Sequence, residues 1–255
     1  STLLASSAAS DVYKRQDMYT MNSHVRYSEA DHNGLITPDA LINYFQDCTM
    51  VHSELCGRGV TNASKAEGYW FLASWQADII RTPKLFENIN ITTIPYEFKG
   101  FFGSRNFLIT TDDGEELVKA NSVWIYLDSH THSPARIPKE EGAAYGEIGP
   151  KLDMEYLPRK IKVTDELSPY APVPVDIQQI DTNEHVNNCE YIRTFMSATG
   201  AVDMPRRIRA EYRQAAVMGD IFHPYVYKGD ARCIADLRGE DGTSYAVVEF
   251  IYEKE

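Results

Sequence analysis

The residues whose types and spacing best suit chemistry stand together at Asp181-Thr182-Asn183-Glu184-His185-Val186-Asn187-Asn188. An imidazole titrates near neutral pH and can face a partner with one nitrogen and a water with the other, so His185 is a candidate general base. Asp181 can orient that ring or attack an electrophilic carbon itself, and the carboxamide of Asn183 can hold a water or polarise a carbonyl. Asn187 is suited to cap a helix, whose first amides present the positive end of a dipole to a developing oxyanion. Hydrolysis of an acyl compound is the chemistry this set fits. Water attack assisted by His185 or Asp181 is favoured over a covalent acyl intermediate on Asp181, and the sequence does not separate the two.

Asp and Asn also serve as ordinary turn formers, and the chain offers an internal comparison. Asp31, Asn33, Ile42 and Phe45 recur as Asp181, Asn183, Ile192 and Phe195, while Val25 and Leu41 correspond to Val175 and Tyr191. Asp31 and Asn33 therefore read as a turn with no chemical duty. The second copy differs at His185, which replaces Leu35, and a polar residue at an apolar repeat position implies a use. Asn187 and Asn188 are explained by capping and turn formation. His24, His32 and His52 have no assembled partner set in the sequence and read as surface or satisfied polar residues.

Each copy reads as strand, turn, helix, followed by a run of strands. In the first, Val25 to Tyr27 leads to the turn Asp31-His32-Asn33-Gly34, and Leu41, Tyr44, Phe45, Cys48 and Leu55 mark one buried helix face. Thr37 and Pro38 supply a cap and a proline suited to the helix start. The second helix follows Asn187, with Tyr191, Ile192, Phe195 and Thr199 on its apolar side. Strands are expected at 69–80, 88–96, 104–111 and 118–127, and again at 208–214, 220–227, 231–237 and 244–252. Asp113-Gly114 and Asp241-Gly242 are the matching hairpin turns.

The resulting class is α+β, with two tandem units of one long central helix wrapped by a curved antiparallel sheet. The expected organisation is a disordered or non-native leader over 1–17, with Met18 or Met21 as a natural start, a first unit over 18–130, a Pro- and Gly-rich linker over 131–165, and a second unit over 166–255 carrying the chemical motif. A length of 255 residues with 43% hydrophobic side chains accommodates two such cores. No apolar run approaches the roughly 18 residues of a membrane helix. Cys48, Cys56, Cys189 and Cys233 are dispersed, form no metal-binding pair, and suggest reduced thiols in a cytoplasmic protein. A formal charge of −12 argues against nucleic acid or anionic lipid as a partner.

The motif D-x-N-x-H-V-N-N-x-x-Y, present as Asp181, Asn183, His185, Val186, Asn187, Asn188 and Tyr191, resembles that of the bacterial and plant fatty acyl-acyl carrier protein (ACP) thioesterases. Those enzymes carry two hot-dog units in one chain. Arg26 to Asp31, Trp70 to Trp75, Trp124 to Asp128 and Arg136-Ile137-Pro138 support the resemblance, which covers residues 18–255. It implies hydrolysis of fatty acyl-ACP to free fatty acid and holo-ACP without cofactor or metal. It implies Asp181, Asn183 and His185 as the catalytic set. In the plant members a strand reading E-Y-R-R-E-C adds a glutamate and a cysteine, but here that strand is Glu211-Tyr212-Arg213-Gln214-Ala215-Ala216. A cysteine nucleophile at that position is excluded.

Trp70, Trp75 and Arg213 are candidates for substrate binding. The two tryptophans read as core, with one face available to line an acyl tunnel. Arg206, Arg207, Arg209 and Arg213 are either a solvated strand face or a local basic site for the acidic carrier protein. Rival readings are an acyl-CoA thioesterase, a hot-dog hydratase or dehydratase, and a non-catalytic acyl-binding protein. A monomer and a homodimer both fit, because paired units within one chain supply the usual hot-dog dimer.

Overall fold

The computed structural model describes residues 18–65, 67–163 and 166–252; the expected leader at 1–17 lies outside the described residues. Among the described residues there are three α-helices: α1 (Pro38–Leu55), α2 (Lys139–Ala143) and α3 (Asn188–Thr199). Helix α1 starts where the sequence places it, with Thr37 at the N-cap and Pro38 in the first turn. Its buried side carries Leu41, Ile42, Tyr44, Phe45 and Cys48. Helix α3 is capped by Asn187, whose Oδ1 accepts the Cys189 N–H at 3.0 Å, and it ends at Gly200 in the left-handed region, φ 69°.

The strands are β1 (Tyr19–His24), β2 (Gly68–Ile79), β3 (Asn88–Lys99), β4 (Phe102–Thr110), β5 (Glu116–Asp128), β6 (Ser168–Pro169), β7 (Val173–Pro174), β8 (Arg207–Tyr212), β9 (Ile221–Lys228), β10 (Arg232–Arg238) and β11 (Ser244–Ile251). They form one sheet in the order β1-β3-β4-β5-β2-β8-β11-β10-β9-β6, with β7 also paired to β9. All pairs are antiparallel. Strands β2 and β8 meet in the middle, from Ser74 opposite Glu211 to Asp78 opposite Arg207. Helix α1 packs on β1 and β3, α3 packs on β9, β10 and β11, and the helices touch each other. A continuous apolar core runs through both helix–sheet interfaces, with Phe45, Phe107, Phe195, Phe222 and Phe250 fully buried.

Two local differences from the sequence reading bear on the site. The strand expected at Val25 to Tyr27 lies earlier, at Tyr19–His24, and residues Tyr27–Glu29 form a 3-10 turn. The reason is a capping box: the Arg26 N–H donates to Glu29 Oε2 at 2.9 Å. The second copy repeats the device, with Gln178 N–H donating to Asp176 Oδ1 and Asp176 N–H to Gln179 Oε1, at 2.9 and 3.0 Å. Strand β8 stops at Tyr212, and the backbone N–H groups of Arg213 and Gln214 both turn to the Tyr245 carbonyl, at 2.8 and 3.2 Å. Residues 215 and 216 thus leave the ladder and are free to approach the motif.

The segment before β6 crosses the sheet face opposite the helices. Buried polar side chains on that face hold its backbone. Asn106 Oδ1 accepts from Leu152 N–H at 3.0 Å and from Tyr156 Oη–H at 2.8 Å. Gln76 accepts from Leu157 N–H at 3.0 Å and donates to the Glu155 carbonyl at 2.7 Å. On β8, Arg209 donates to the Pro158 carbonyl at 2.7 Å, and Glu211 accepts from Ile161 N–H at 2.9 Å. Polar residues in mid-sheet are expensive to bury unless paired, and here they pair with a strap that spans the β2–β8 junction.

Candidate functional site

The motif loop is built by backbone hydrogen bonds that close Asp181 on His185. Asp181 N–H donates to the His185 carbonyl at 2.8 Å and Glu184 N–H to the Asp181 carbonyl at 3.1 Å, with Glu184 at φ 62°. The first copy has the same closure: Asp31 N–H to the Leu35 carbonyl at 2.7 Å, Gly34 N–H to the Asp31 carbonyl at 3.0 Å, and Gly34 at φ 73°. A left-handed residue is required at this step of the turn. Glycine meets that requirement in one loop, while the other holds Glu184 there at a cost in backbone energy.

The two aspartates are used differently. Asp31 Oδ1 accepts the N–H groups of Asn33 and Leu35 at 2.8 and 2.9 Å, and these bonds, that from Leu35 first, hold its carboxyl below the ordinary aspartate value. Asp181 Oδ1 accepts Asn183 N–H at 2.7 Å, and its Oδ2 has only a long contact, 3.5 Å, with Asn183 Nδ2. Among the described residues, no bond joins His185 N–H to Asp181. The Asp181 carboxylate thus carries one backbone N–H where that of Asp31 carries two, and the His185 imidazole is half-buried, with no side chain of the described residues hydrogen-bonded to it.

Three further elements frame the loop. Val186 N–H donates to the Ala216 carbonyl at 2.8 Å, so the backbone after β8 lies beside the motif. Ala216 N–H in turn donates to Tyr191 Oη at 2.9 Å, and Tyr212 Oη donates to the Asn188 carbonyl at 2.9 Å. From the other side, α1 contributes Gln46, whose Oε1 accepts from Asn188 Nδ2 at 3.4 Å. The site is thus a loop, a helix N-terminus and a strand end, closed by the neighbouring helix. Gln46 carried no signal in the sequence, because its partner lies far away along the chain.

The positions where the plant glutamate and cysteine are expected are occupied by half-buried Ala215 and buried Ala216, so this strand brings backbone but no functional group. The cysteine nearest in sequence, Cys189, is no substitute: its Sγ faces Glu190 Oε1 at 3.6 Å, and burial pushes its thiol up to about 12.

Among the described residues, no hydrogen bond, ion pair or ring contact brings the substrate-binding candidates together with the motif. Trp75 is 2% exposed in the core, against Phe45, Phe107 and Trp124 at ring separations of 5.6, 5.0 and 6.5 Å. Trp70 packs on Tyr126 and Phe98 and donates from Nε1 to Glu141 Oε1 at 2.8 Å. Arg213 is exposed, with its guanidinium 3.1 Å from Glu211 Oε2. Arg207 and Arg209 are likewise engaged, with Asp78 and Glu155 and with Glu249 respectively. His52, expected to be a surface or satisfied polar residue, is fully buried, with Arg105 Nη1 at 3.0 Å from its Nδ1.

Comparison with solved structures identifies the architecture. An acyl-ACP thioesterase from Bacteroides thetaiotaomicron aligns with TM-score 0.81 at 22% identity, over 93% of this chain and 98% of that one. A 12:0-ACP thioesterase from Umbellularia californica aligns with TM-score 0.78 at 17% identity, over 94% and 99%. This likeness shows the fold, an α+β hot-dog architecture. A sequence model described as the acyl-ACP thioesterase N-terminal domain matches residues 16–145, half of the chain. The chain belongs to the acyl-ACP thioesterase family. A palmitoyl-acyl carrier protein thioesterase of Arabidopsis chloroplasts is 23% identical over 88% of this chain and 61% of its own length. A chloroplastic acyl-[acyl-carrier-protein] hydrolase of Cuphea viscosissima is 27% identical over 60% of this chain and 40% of its own. The chain therefore spans about two fifths to three fifths of the length of these relatives.

Proposed function

We propose that this chain hydrolyses fatty acyl-ACP to free fatty acid and holo-ACP, with Asp181, Asn183 and His185 as the catalytic set. The observation that carries the reading is the loop comparison. Two loops share one backbone hydrogen-bond pattern, yet in the second a histidine replaces leucine and the aspartate carries one backbone N–H instead of two. In the favoured route His185 takes a proton from a water held by Asn183, and the resulting hydroxide adds to the thioester carbonyl. The oxyanion is met by N–H groups at the start of α3. Collapse breaks the C–S bond, and the proton returns from His185 to the departing thiolate. Asp181 orients the ring, or is itself the nucleophile in the alternative route. Alanine at positions 215 and 216 and the elevated thiol pKa of Cys189 both support an oxygen nucleophile over sulfur.

The same reading divides the chain into two tandem hot-dog units, over 18–130 and 166–255, joined by the linker 131–165. The mirrored strand order about β2–β8 and the paired capping boxes support that division. The carrier reading, ACP rather than CoA, rests on the family and on the names of its relatives. Thiol release from a series of acyl-ACP and acyl-CoA thioesters tests it. Wild type should act faster on ACP, with His185→Ala and Asp181→Ala each at least a hundredfold slower. Wild type and both variants equally inactive while still binding acyl chains would replace hydrolysis by acyl binding as the function.

A further inference from the structure

Helix α1 belongs to the first copy, yet it reaches the loop of the second. Asp39, Asn43 and Gln46, spaced four and three residues apart, lie on one stripe of α1, and all three meet α3. Arg193 Nε donates to Asp39 Oδ2 at 2.6 Å, the Asn43 side chain is hydrogen-bonded to Cys189, and Asn188 Nδ2 donates to Gln46 Oε1 at 3.4 Å. In the repeat that matches Ile42 with Ile192 and Phe45 with Phe195, Asp39 corresponds to Cys189 and Asn43 to Arg193. The first two contacts are therefore images of each other, and the helices cross in the same way seen from either copy.

The third contact breaks that symmetry. Gln46 corresponds to Met196 and Asn188 to Pro38, so its image pairs a methionine that packs on the apolar core with a buried proline. Beside the Asp31 loop the crossing carries two side chains that do not hydrogen-bond each other; beside the Asp181 loop it carries two carboxamides. This is the same kind of departure as His185 for Leu35, and it falls next to the same loop. Half-buried amides are costly at a helix crossing unless they hold something in place.

What they hold is the first residue of α3. The Asn188 side chain is tied to Gln46, and the Asn188 carbonyl accepts from Tyr212 Oη at 2.9 Å. The next two N–H groups are spent, Cys189 on Asn187 Oδ1 at 3.0 Å and Glu190 on the Asn187 carbonyl at 2.9 Å. The Asn188 N–H has no hydrogen-bond partner among the described residues. Pro38, at the same step of the first copy, has no N–H to offer. A donor stabilises a developing oxyanion in proportion to how little it must reorganise, so anchoring its residue from two sides has a direct use.

We propose that Gln46 is a positioning residue for the Asp181 site: by gripping Asn188 it fixes the start of α3 and so aims the Asn188 N–H at the thioester carbonyl. The inference rests on the thioesterase reading. Gln46 itself makes and breaks no bond in the reaction. If it only packed the helices together, methionine, the residue of the mirrored crossing, would serve as well.

Gln46→Met and Asn188→Ala are compared with wild type on the saturated acyl-ACP that wild type cleaves fastest. Each should lower kcat about tenfold or more while KM stays within about twofold. The double variant should be no slower than the slower single, since both changes break one link. Gln46→Met should unfold at the wild-type temperature, and Met196→Leu at the mirrored crossing should keep the wild-type kcat. If Gln46→Met fails to fold, Asn188→Ala breaks the same link without touching α1 and carries the same test. The proposal is overturned if these variants keep the wild-type kcat, if KM rises in place of a fall in kcat, or if the two losses multiply in the double variant. If wild type cleaves no acyl-ACP, the thioesterase reading fails separately, and the Asn188 amide resonance decides this one. A shift on adding an uncleavable acyl amide of the carrier protein, seen in wild type and lost in Gln46→Met, upholds it; no shift, or the same shift in both, overturns it.

Discussion

Removing one oxygen atom, in Tyr191→Phe, isolates the bond that ties helix α3 to the chain after β8, beside the Asp181 loop. Tyr191 is 2% exposed and Ala216 0% exposed, and the Ala216 N–H donates to Tyr191 Oη at 2.9 Å. Phenylalanine keeps the ring contacts with Tyr212 and Phe222, at 5.4 and 5.3 Å, so packing is nearly conserved. What remains is a buried N–H with no acceptor, a loss of about 1–3 kcal/mol. For a chain of this size each kcal/mol moves the unfolding midpoint by roughly 2–4 °C, so a fall of roughly 2–12 °C is expected by calorimetry. The first copy shows what an uncoupled version looks like. There Pro83 accepts from Ile36 N–H at 3.0 Å, as Ala216 does from Val186. Pro83 has no N–H to satisfy, and Leu41 stands in place of the tyrosine. Ala216→Pro in the Tyr191→Phe background should therefore cost less than the sum of the two single changes, which a double-mutant cycle reads directly. A Tyr191→Phe protein within about 0.5 kcal/mol of wild type would refute the reasoning, because the hydroxyl would then not be the acceptor that matters.

Two other outcomes are expected. Burial raises the Cys189 thiol from its ordinary value of 9.0 to about 12, so its contribution to stability is intact below pH 9 and is lost as pH rises toward 12. Alkylation by iodoacetamide at pH 8 should leave this thiol largely unmodified, and Cys189→Ala should retain hydrolysis; loss of turnover in that variant would bring sulfur back into the mechanism. Glu249, 3% exposed, sits between Arg209 and Arg232 at 2.6 and 2.5 Å. Glu249→Ala strands Arg209 on the buried side and should cost about 3–5 kcal/mol, measured as a lower urea midpoint with an unchanged slope.

Much of the site's local form was legible along the chain because it is made by residues a few positions apart. The Asn187 cap, the Thr37-Pro38 helix start and the Asp-Gly hairpins all express short-range backbone chemistry. The internal repeat by itself marks His185 as the departure from Leu35. The capping boxes at Arg26–Glu29 and Asp176–Gln179 displaced an expected strand because those side chains satisfy backbone groups that a strand would have paired elsewhere.

The residues around the Asp181 loop belong to the other kind. Gln46 meets Asn188 across the helix pair, Ala216 meets Val186 only because β8 ends early, and Gln76, Asn106 and Glu211 are polar in mid-sheet to hold a strap from a segment that reads as featureless. By itself the sequence determined which residues are chemically apt and which local turns present them. Only the tertiary structure decided how many backbone groups each aspartate carries, which thiol is buried out of reach, and which core positions keep unpaired polar atoms. The reason is physical: periodicity and capping act within a turn or two of chain, whereas hydrogen-bond satisfaction and desolvation depend on neighbours that are distant in sequence.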